Sequence, residues 1–134
     1  MTSAVTGDAE GPSGGGAIRT VIPLAEAECG VMPDKGFYRH VINARICGAR
    51  HFAMGVNILH AGVKTADIHR DREQGWYVLA GTGEFVLDGE RRRIGPGMAI
   101  YAPAGGNPHR FEVHPESDLT YVIVFAPGAD QEHR

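Results

Sequence analysis

Cysteine and lysine are scarce in this chain, and long hydrophobic runs are absent. Cys29 and Cys47 are the only cysteines in 134 residues and form no CxxC pair, which argues against a disulfide framework or a thiolate zinc site. No apolar stretch approaches the roughly 20 residues that a membrane-spanning helix needs, and the N-terminus lacks the segments of a secretory signal. We therefore expect a cytoplasmic protein that does not bind a membrane.

A basic surface is also lacking. The 13 lysines and arginines are outnumbered by 16 acidic residues, for a net charge of −3. Proteins that grip the phosphates of nucleic acids need an excess of positive charge, so nucleic-acid binding is not expected. Small molecules are the expected partners.

Hydrophobic residues make up 43% of the chain, which at this length is enough for the core of one domain. Residues 1–16 are small, polar and rich in glycine, which predicts a disordered tail ahead of a single domain over residues 17–134. Short apolar runs separated by glycine, proline or charges predict an all-β sandwich or small barrel. The predicted strands cover residues 17–23, 37–46, 51–60, 74–81, 83–89, 90–94, 98–103, 109–113 and 119–125. Only residues 24–28 have helical bias.

One histidine stands among charges just before an aromatic and aliphatic strand. Alternate side chains of a strand share a face, so Asp67 and His69 are expected to point the same way. The returning strand brings Gln74 and Trp76 onto one face. In the strand over residues 109–113, His109 shares a face with two apolar residues.

Two imidazoles, a carboxylate and an amide oxygen together suit a divalent first-row metal. The predicted ligands are His69, Gln74, His109 and Asp67. The ion is undecided among iron, manganese, zinc and nickel.

Residues 62–113 resemble the cupin superfamily. Its first motif is a glycine, five residues, His-x-His, three or four residues, Glu, six residues and Gly. Gln74 and Gly81 have the spacing of the final pair, and His69 precedes Gln74 by four intervening residues. The second motif opens with Gly97, Pro103 and Gly105, and His109 follows with one extra residue.

This chain departs from the cupin pattern because Asp67 stands for the first histidine and Gln74 for the glutamate. Some cupins use a glutamine ligand after a glutamate, which Glu73 and Gln74 resemble. The resemblance implies a cupin-type β-sandwich or jelly-roll barrel, ligand roles for His69, Gln74 and His109, and a homodimer. For Asp67 the resemblance implies only that the residue stands at the motif position of the first histidine, and it implies no ligand role.

Three functions remain open. The leading one is a metal-dependent enzyme whose ion acts as a Lewis acid on a small oxygen-bearing molecule in a non-redox lyase, isomerase or cyclase step. The second is an Fe(II)-dependent dioxygenase, since two histidines and a carboxylate match the facial triad. The third is a metal-free cupin that binds a small ligand.

Candidate catalytic and pocket residues follow from these hypotheses. If Asp67 is not a ligand, it is the candidate general base, and Tyr101 is the candidate acid. The alternative without a functional role for Asp67 is an ion pair with a basic neighbour at a solvated edge. For either histidine taken alone, the alternative is a hydrogen-bonded position in the core. Apolar and cationic side chains are expected to contact the substrate: Trp76, Phe111, Val113, Lys64 and Arg39.

Overall fold

The computed structural model describes residues 18–68 and 70–128, and most of their regular structure is antiparallel β-sheet. This confirms the all-β prediction. One four-residue helix, α1 (Ala44–Cys47), and a single 3-10 turn (Leu24–Glu26) accompany the strands. The strands are β1 (Glu28–Met32), β2 (Gly36–Ile42), β3 (Ala53–Leu59), β4 (Glu73–Ala80), β5 (Gly83–Leu87), β6 (Glu90–Ile94), β7 (Ala99–Ala102), β8 (His109–Val113) and β9 (Leu119–Ala126).

The strands form two sheets. Six of them pair in the order β1-β2-β3-β9-β4-β7, and three pair in the order β6-β5-β8. Strands β3 and β4 and the first half of β9 alternate buried and more exposed residues, which is the pattern of a sheet with one face on the core. The turn between β5 and β6 is a tight hairpin, which an Asp-Gly pair between two strands predicts, and φ is positive at both Asp88 and Gly89.

An irregular segment, residues 63–68, runs antiparallel beside β8 and widens the smaller sheet. The Val113 amide donates to the Val63 carbonyl at 2.8 Å, and the Thr65 amide donates to the Phe111 carbonyl at 2.9 Å. Lys64 pairs with Glu112 and Ile68 with His109. The two bridges lie four residues apart in this segment but three apart in β8, so the register shifts by one residue between them.

The core between the sheets is rich in aromatic rings. Phe85 of β5 and Phe111 of β8 lie 5.2 Å apart between ring centroids, and Trp76 of β4 lies within 5.5 Å of both. Tyr121 of β9 stacks on Phe111 at 5.5 Å. Each ring buries a large apolar surface, and their offset and edge contacts fix the distance between the two sheets.

The first predicted strand is wrong, and the structure has a different one. Residues 18–23 form no strand and are mostly exposed, with Pro23 leading into the 3-10 turn. The first strand is instead β1, which pairs with β2 as a hairpin at the edge of the larger sheet. The sequence around Gly30 did not predict β1, because its apolar residues do not alternate clearly and an edge strand needs little such alternation.

The second predicted strand extends too far. It ends at Ile42 because the side chain of Asn43 accepts a hydrogen bond from the Ile46 amide at 2.8 Å and so begins α1. Gly48 ends this helix in the left-handed conformation, with a φ of 78°. The predicted tail, by contrast, lies outside the described residues. No helix among residues 18–68 and 70–128 is long and apolar enough to cross a membrane.

Gly81, the glycine that closes the first motif, is required by the turn after β4. Its φ is 88°, and a Cβ there would clash with the carbonyl oxygen of Asp118. We expect Gly81→Ala to lower the free energy of unfolding by about 2–4 kcal/mol. Gly89→Ala is the matched control, because Gly89 also has positive φ but faces open space, and about 1 kcal/mol is expected there. Urea unfolding measures both, and equal losses would contradict this account of Gly81.

Candidate functional site

A cavity of about 400 Å³ lies between the two sheets. Its walls come from β1, β3, β4, β8, β9 and the segment before β4. Most of the lining is apolar, including Trp76, Phe111 and Ile68. Seven of the fifteen lining residues are polar or charged, and such a mixture of apolar walls and polar groups is usual in a small-molecule site.

His109 is the first residue of β8 and is only 4% exposed. Its backbone exchanges two hydrogen bonds with Ile68, at 2.8 and 3.0 Å. Its ring lies 5.2 Å from Trp76 and 5.5 Å from Phe85, so the imidazole has little freedom to turn. The rigid backbone pair and the two rings hold this side chain at the cavity wall.

Burial lowers the pKa of His109 from its ordinary value of 6.5, and the positive charge of Arg70 lowers it further. The Asp67 carboxylate acts in the opposite direction and is the weakest of the three causes. The imidazole is therefore neutral at pH 7, with a nitrogen able to accept a proton or a metal ion.

Gln74 lines the same cavity from β4, between β7 and β9. The residue is 7% exposed, and its Oε1 atom has no hydrogen-bond partner among the described residues. A buried acceptor left in this state costs about 1–3 kcal/mol. A ligand that presents an N–H or O–H group to Oε1 recovers that free energy on binding.

The structure does not bring Asp67 into the cavity. Ile68 pairs with His109, and residues directly opposite in an antiparallel pair share a face, so Ile68 is the residue that points inward. Asp67 is exposed, and its Oδ1 accepts a hydrogen bond from Arg110 at 3.1 Å. The expected alternation was off by one residue, and the basic partner of Asp67 lies on β8.

Motif spacing gives the same assignment. Counted from Gly62 with five intervening residues, the first histidine position of the cupin motif falls on Ile68 and the second on Arg70. Three residues then separate Arg70 from Gln74, within the range that the motif allows. Arg70 is exposed, and its side chain also lines the cavity. His69, the predicted ligand, lies outside the described residues.

Tyr101 also lies away from this cavity. It is 58% exposed on the edge strand β7, where its hydroxyl donates to Glu73 at 2.6 Å. That hydrogen bond raises the pKa of Tyr101, because it stabilises the protonated phenol. Tyr101 lines a separate cavity against β6, so its position gives no support to the predicted acid role.

Only two of the five predicted pocket residues, Trp76 and Phe111, line the cavity. Val113 is buried in the core, and Lys64 is exposed opposite Glu112. The Arg39 side chain donates to the Val56 carbonyl at 3.1 Å. These three residues line neither this cavity nor a smaller one of about 260 Å³ that adjoins it at Arg70 and Gln74.

Polar residues that the sequence did not single out complete the wall. Asn57 of β3 and Tyr121 of β9 are both buried and hydrogen-bonded to each other. Burial raises the pKa of the Tyr121 phenol, so it stays protonated. Lys35 reaches the same cavity from the turn between β1 and β2. Only the pairing of distant strands brings these three together, and no local motif marks them.

The described donors do not make up a complete metal site. Within residues 18–68 and 70–128, no three histidine, cysteine or acidic side chains form a group able to hold an ion. The cavity offers one imidazole and one unpartnered amide oxygen, that of Gln74, and the Arg70 guanidinium lines it as well. A fixed positive charge there opposes a divalent cation. Metal ligation by His69, Gln74 and His109 stays a prediction.

Comparison with family models identifies the family of this chain. The family model described as a cupin domain matches residues 56–125, more than half of the chain. The sequence of this chain matches no curated protein. The structure is similar to the polyketide cyclase RemF from Streptomyces resistomycificus, at a TM-score of 0.71 and 23% identity over 81% of this chain and 80% of that one.

Two further solved structures have the same fold. KdgF from Halomonas sp. gives a TM-score of 0.70 at 21% identity, over 81% of this chain and 94% of that one. Ectoine synthase from P. lautus gives 0.70 at 23% identity, over 82% and 79%. These similarities confirm the expected β-sandwich. At identities this low they show the fold alone and not the function.

The lowered pKa of His109 predicts a pH dependence of stability. Below about pH 6.5 the unfolded chain protonates this histidine while the folded chain resists, so the free energy of unfolding falls as pH drops. His109→Gln removes that component, whereas His51→Gln, at an exposed position, leaves it unchanged. Urea unfolding at about pH 7.5 and about pH 5 tests this. The same pH slope in wild type and His109→Gln would contradict it.

Proposed function

Because this chain belongs to the cupin domain family, we propose that its cavity binds a small, partly apolar organic molecule and catalyses a non-redox proton transfer on it. One observation carries the proposal. The unpartnered oxygen of Gln74 and the imidazole of His109 lie on the wall of one apolar cavity.

His109 is the proposed general base. A neutral imidazole can take a proton from a bound molecule, and a pKa below the ordinary value keeps it in that form at neutral pH. The contacts with Trp76 and Phe85 hold the ring still, which reduces the cost of orienting it during the reaction. Gln74 is a positioning residue, since its oxygen can accept a hydrogen bond from the molecule.

The reaction class is elimination, isomerisation or cyclisation. In each of these steps a base removes a proton, which then passes to another atom of the molecule or to the leaving group, and no external oxidant is needed. Two of the solved structures similar to this one are a polyketide cyclase and an ectoine synthase, which supports the choice at the level of fold.

A metal-dependent form of this enzyme is the second candidate. The unpartnered amide oxygen and the neutral imidazole are both donors that first-row metals accept, and His69 is the further predicted ligand. In this form the metal is the Lewis acid of the same non-redox class. The dioxygenase hypothesis relied on a carboxylate beside the histidines, and Asp67 is engaged by Arg110 outside the cavity.

The cavity proposal predicts that ligands change the emission of Trp76, the only tryptophan of the chain, and raise the melting temperature. Ile68→Phe narrows the cavity and should abolish both effects. Leu79→Phe is the matched control, because Leu79 is 49% exposed and lines neither cavity. If Ile68→Phe binds as wild type does, the cavity is not the binding site.

The same ligands test the role of His109. A base that removes a carbon-bound proton exchanges it with solvent, so NMR in D2O should show deuterium entering a bound substrate. His109→Gln should bind that substrate and exchange it at least about a hundredfold more slowly. Equal exchange rates would exclude His109 as the base.

Elemental analysis separates the two candidates. We expect protein purified without added metal to contain much less than one equivalent, and chelator to leave ligand binding unchanged. One equivalent of metal that is lost in His109→Ala and kept in His51→Ala would instead establish the metal-dependent candidate. Asp67→Ala should have no effect on metal content, because its carboxylate faces Arg110.

A further inference from the structure

We propose that the molecule bound in the cavity is a small carboxylic acid that also carries a hydroxyl or amino group. Arg70 and Lys35 receive its carboxylate, and Gln74 accepts a hydrogen bond from its donor group. This inference rests on the proposed function, since it names the class of molecule that enters the same cavity.

The first support is the charge of the cavity wall. Lys35 and Arg70 line it, and no aspartate or glutamate among the described residues does. A neighbouring cavity of about 260 Å³ shares Arg70 and Gln74 with it, adds Arg72, and again has no acidic residue among those described. The whole chain has a net charge of −3, so this local excess of positive charge runs against the overall balance. Such a region attracts anions.

The second support comes from comparing the ion-pair partners of the other arginines with those of Arg70. Five surface arginines each pair with a carboxylate: Arg19, Arg45, Arg91, Arg92 and Arg110. The Arg70 guanidinium has no such partner among the described residues, although Asp67 is close in sequence. Asp67 is bonded to Arg110 instead. Glu73, also nearby in sequence, accepts the hydroxyl of Tyr101. Arg70 is therefore available to a carboxylate from outside the chain, in the paired geometry that a guanidinium favours.

Gln74 defines the second group of the ligand. Its buried oxygen can only accept a hydrogen bond, and a carboxylate has no proton to donate. A simple acid would leave that oxygen unpartnered, whereas a hydroxy or amino acid satisfies both ends of the site. The apolar walls formed by Trp76 and Phe111 suit the carbon skeleton between or beside these groups.

Matched probes test this assignment through Trp76 emission. We expect mandelate, a hydroxy acid, to bind about tenfold tighter than its neutral amide, mandelamide, and tighter than phenylacetate, which lacks the hydroxyl. Arg70→Gln should weaken mandelate binding by about tenfold and leave mandelamide unchanged. Lys35→Gln should act in the same direction. Arg50→Gln is the control, because it removes one exposed positive charge that lines neither cavity.

The outcomes separate the two proposals. If mandelamide binds as tightly as mandelate, or if Arg70→Gln weakens both probes equally, the acid assignment is wrong while the cavity remains a binding site. If phenylacetate binds as tightly as mandelate, the role assigned to the Gln74 oxygen is wrong. If neither the acids nor the amides change Trp76 emission, the proposed function falls together with this inference.

Discussion

The pairing of Ile68 with His109 is the interaction on which the site depends. Two backbone hydrogen bonds join these residues and attach the irregular segment over residues 63–68 to β8. The pair sends the Ile68 side chain into the cavity beside His109 and leaves Asp67 on the outer side, within reach of Arg110. A shift of one residue in this register would exchange the two faces, because successive side chains alternate.

The rest of the core keeps that pairing in place. Trp76 of β4 belongs to the larger sheet and contacts Phe85, His109 and Phe111 of the smaller sheet. This single indole therefore fixes the position of the His109 imidazole relative to both sheets. Gln74 stands two residues before Trp76 on the same face of β4, which places its amide at the cavity as well. Packing that stabilises the fold therefore also orients the two polar groups of the site.

Much of the architecture could be predicted from the sequence, because alternation and turn residues are local signals. Seven strands lie within about three residues of their predicted bounds, and the Asp88-Gly89 hairpin is confirmed. Strands β6 and β8 have the predicted bounds. The bounds failed where local signals were weak, as in the edge strand β1, or where a side chain intervened, as Asn43 does by capping α1.

The site was only partly predictable, for a physical reason. Strand alternation correctly placed Gln74, Trp76, His109 and Phe111 on cavity-facing positions. It failed for Asp67, because residues 63–68 are held by pairing with β8 whose register shifts, and alternation along the chain does not continue through such a shift. Lys35, Asn57 and Tyr121 reach the cavity only through pairing between strands far apart in sequence.

The charge of the described cavity lining suits an anion better than a divalent cation. Carboxylates or several imidazoles would be expected around a metal, since they offset its charge or donate lone pairs to it. Here the described lining carries Arg70 and Lys35, one imidazole whose pKa burial and Arg70 depress, and a neutral amide. Each of these features is compatible with an anion in the cavity. An acid bound against Arg70 would bring its own negative charge close to His109 and favour the protonated imidazole, which is the form the base must reach during proton transfer.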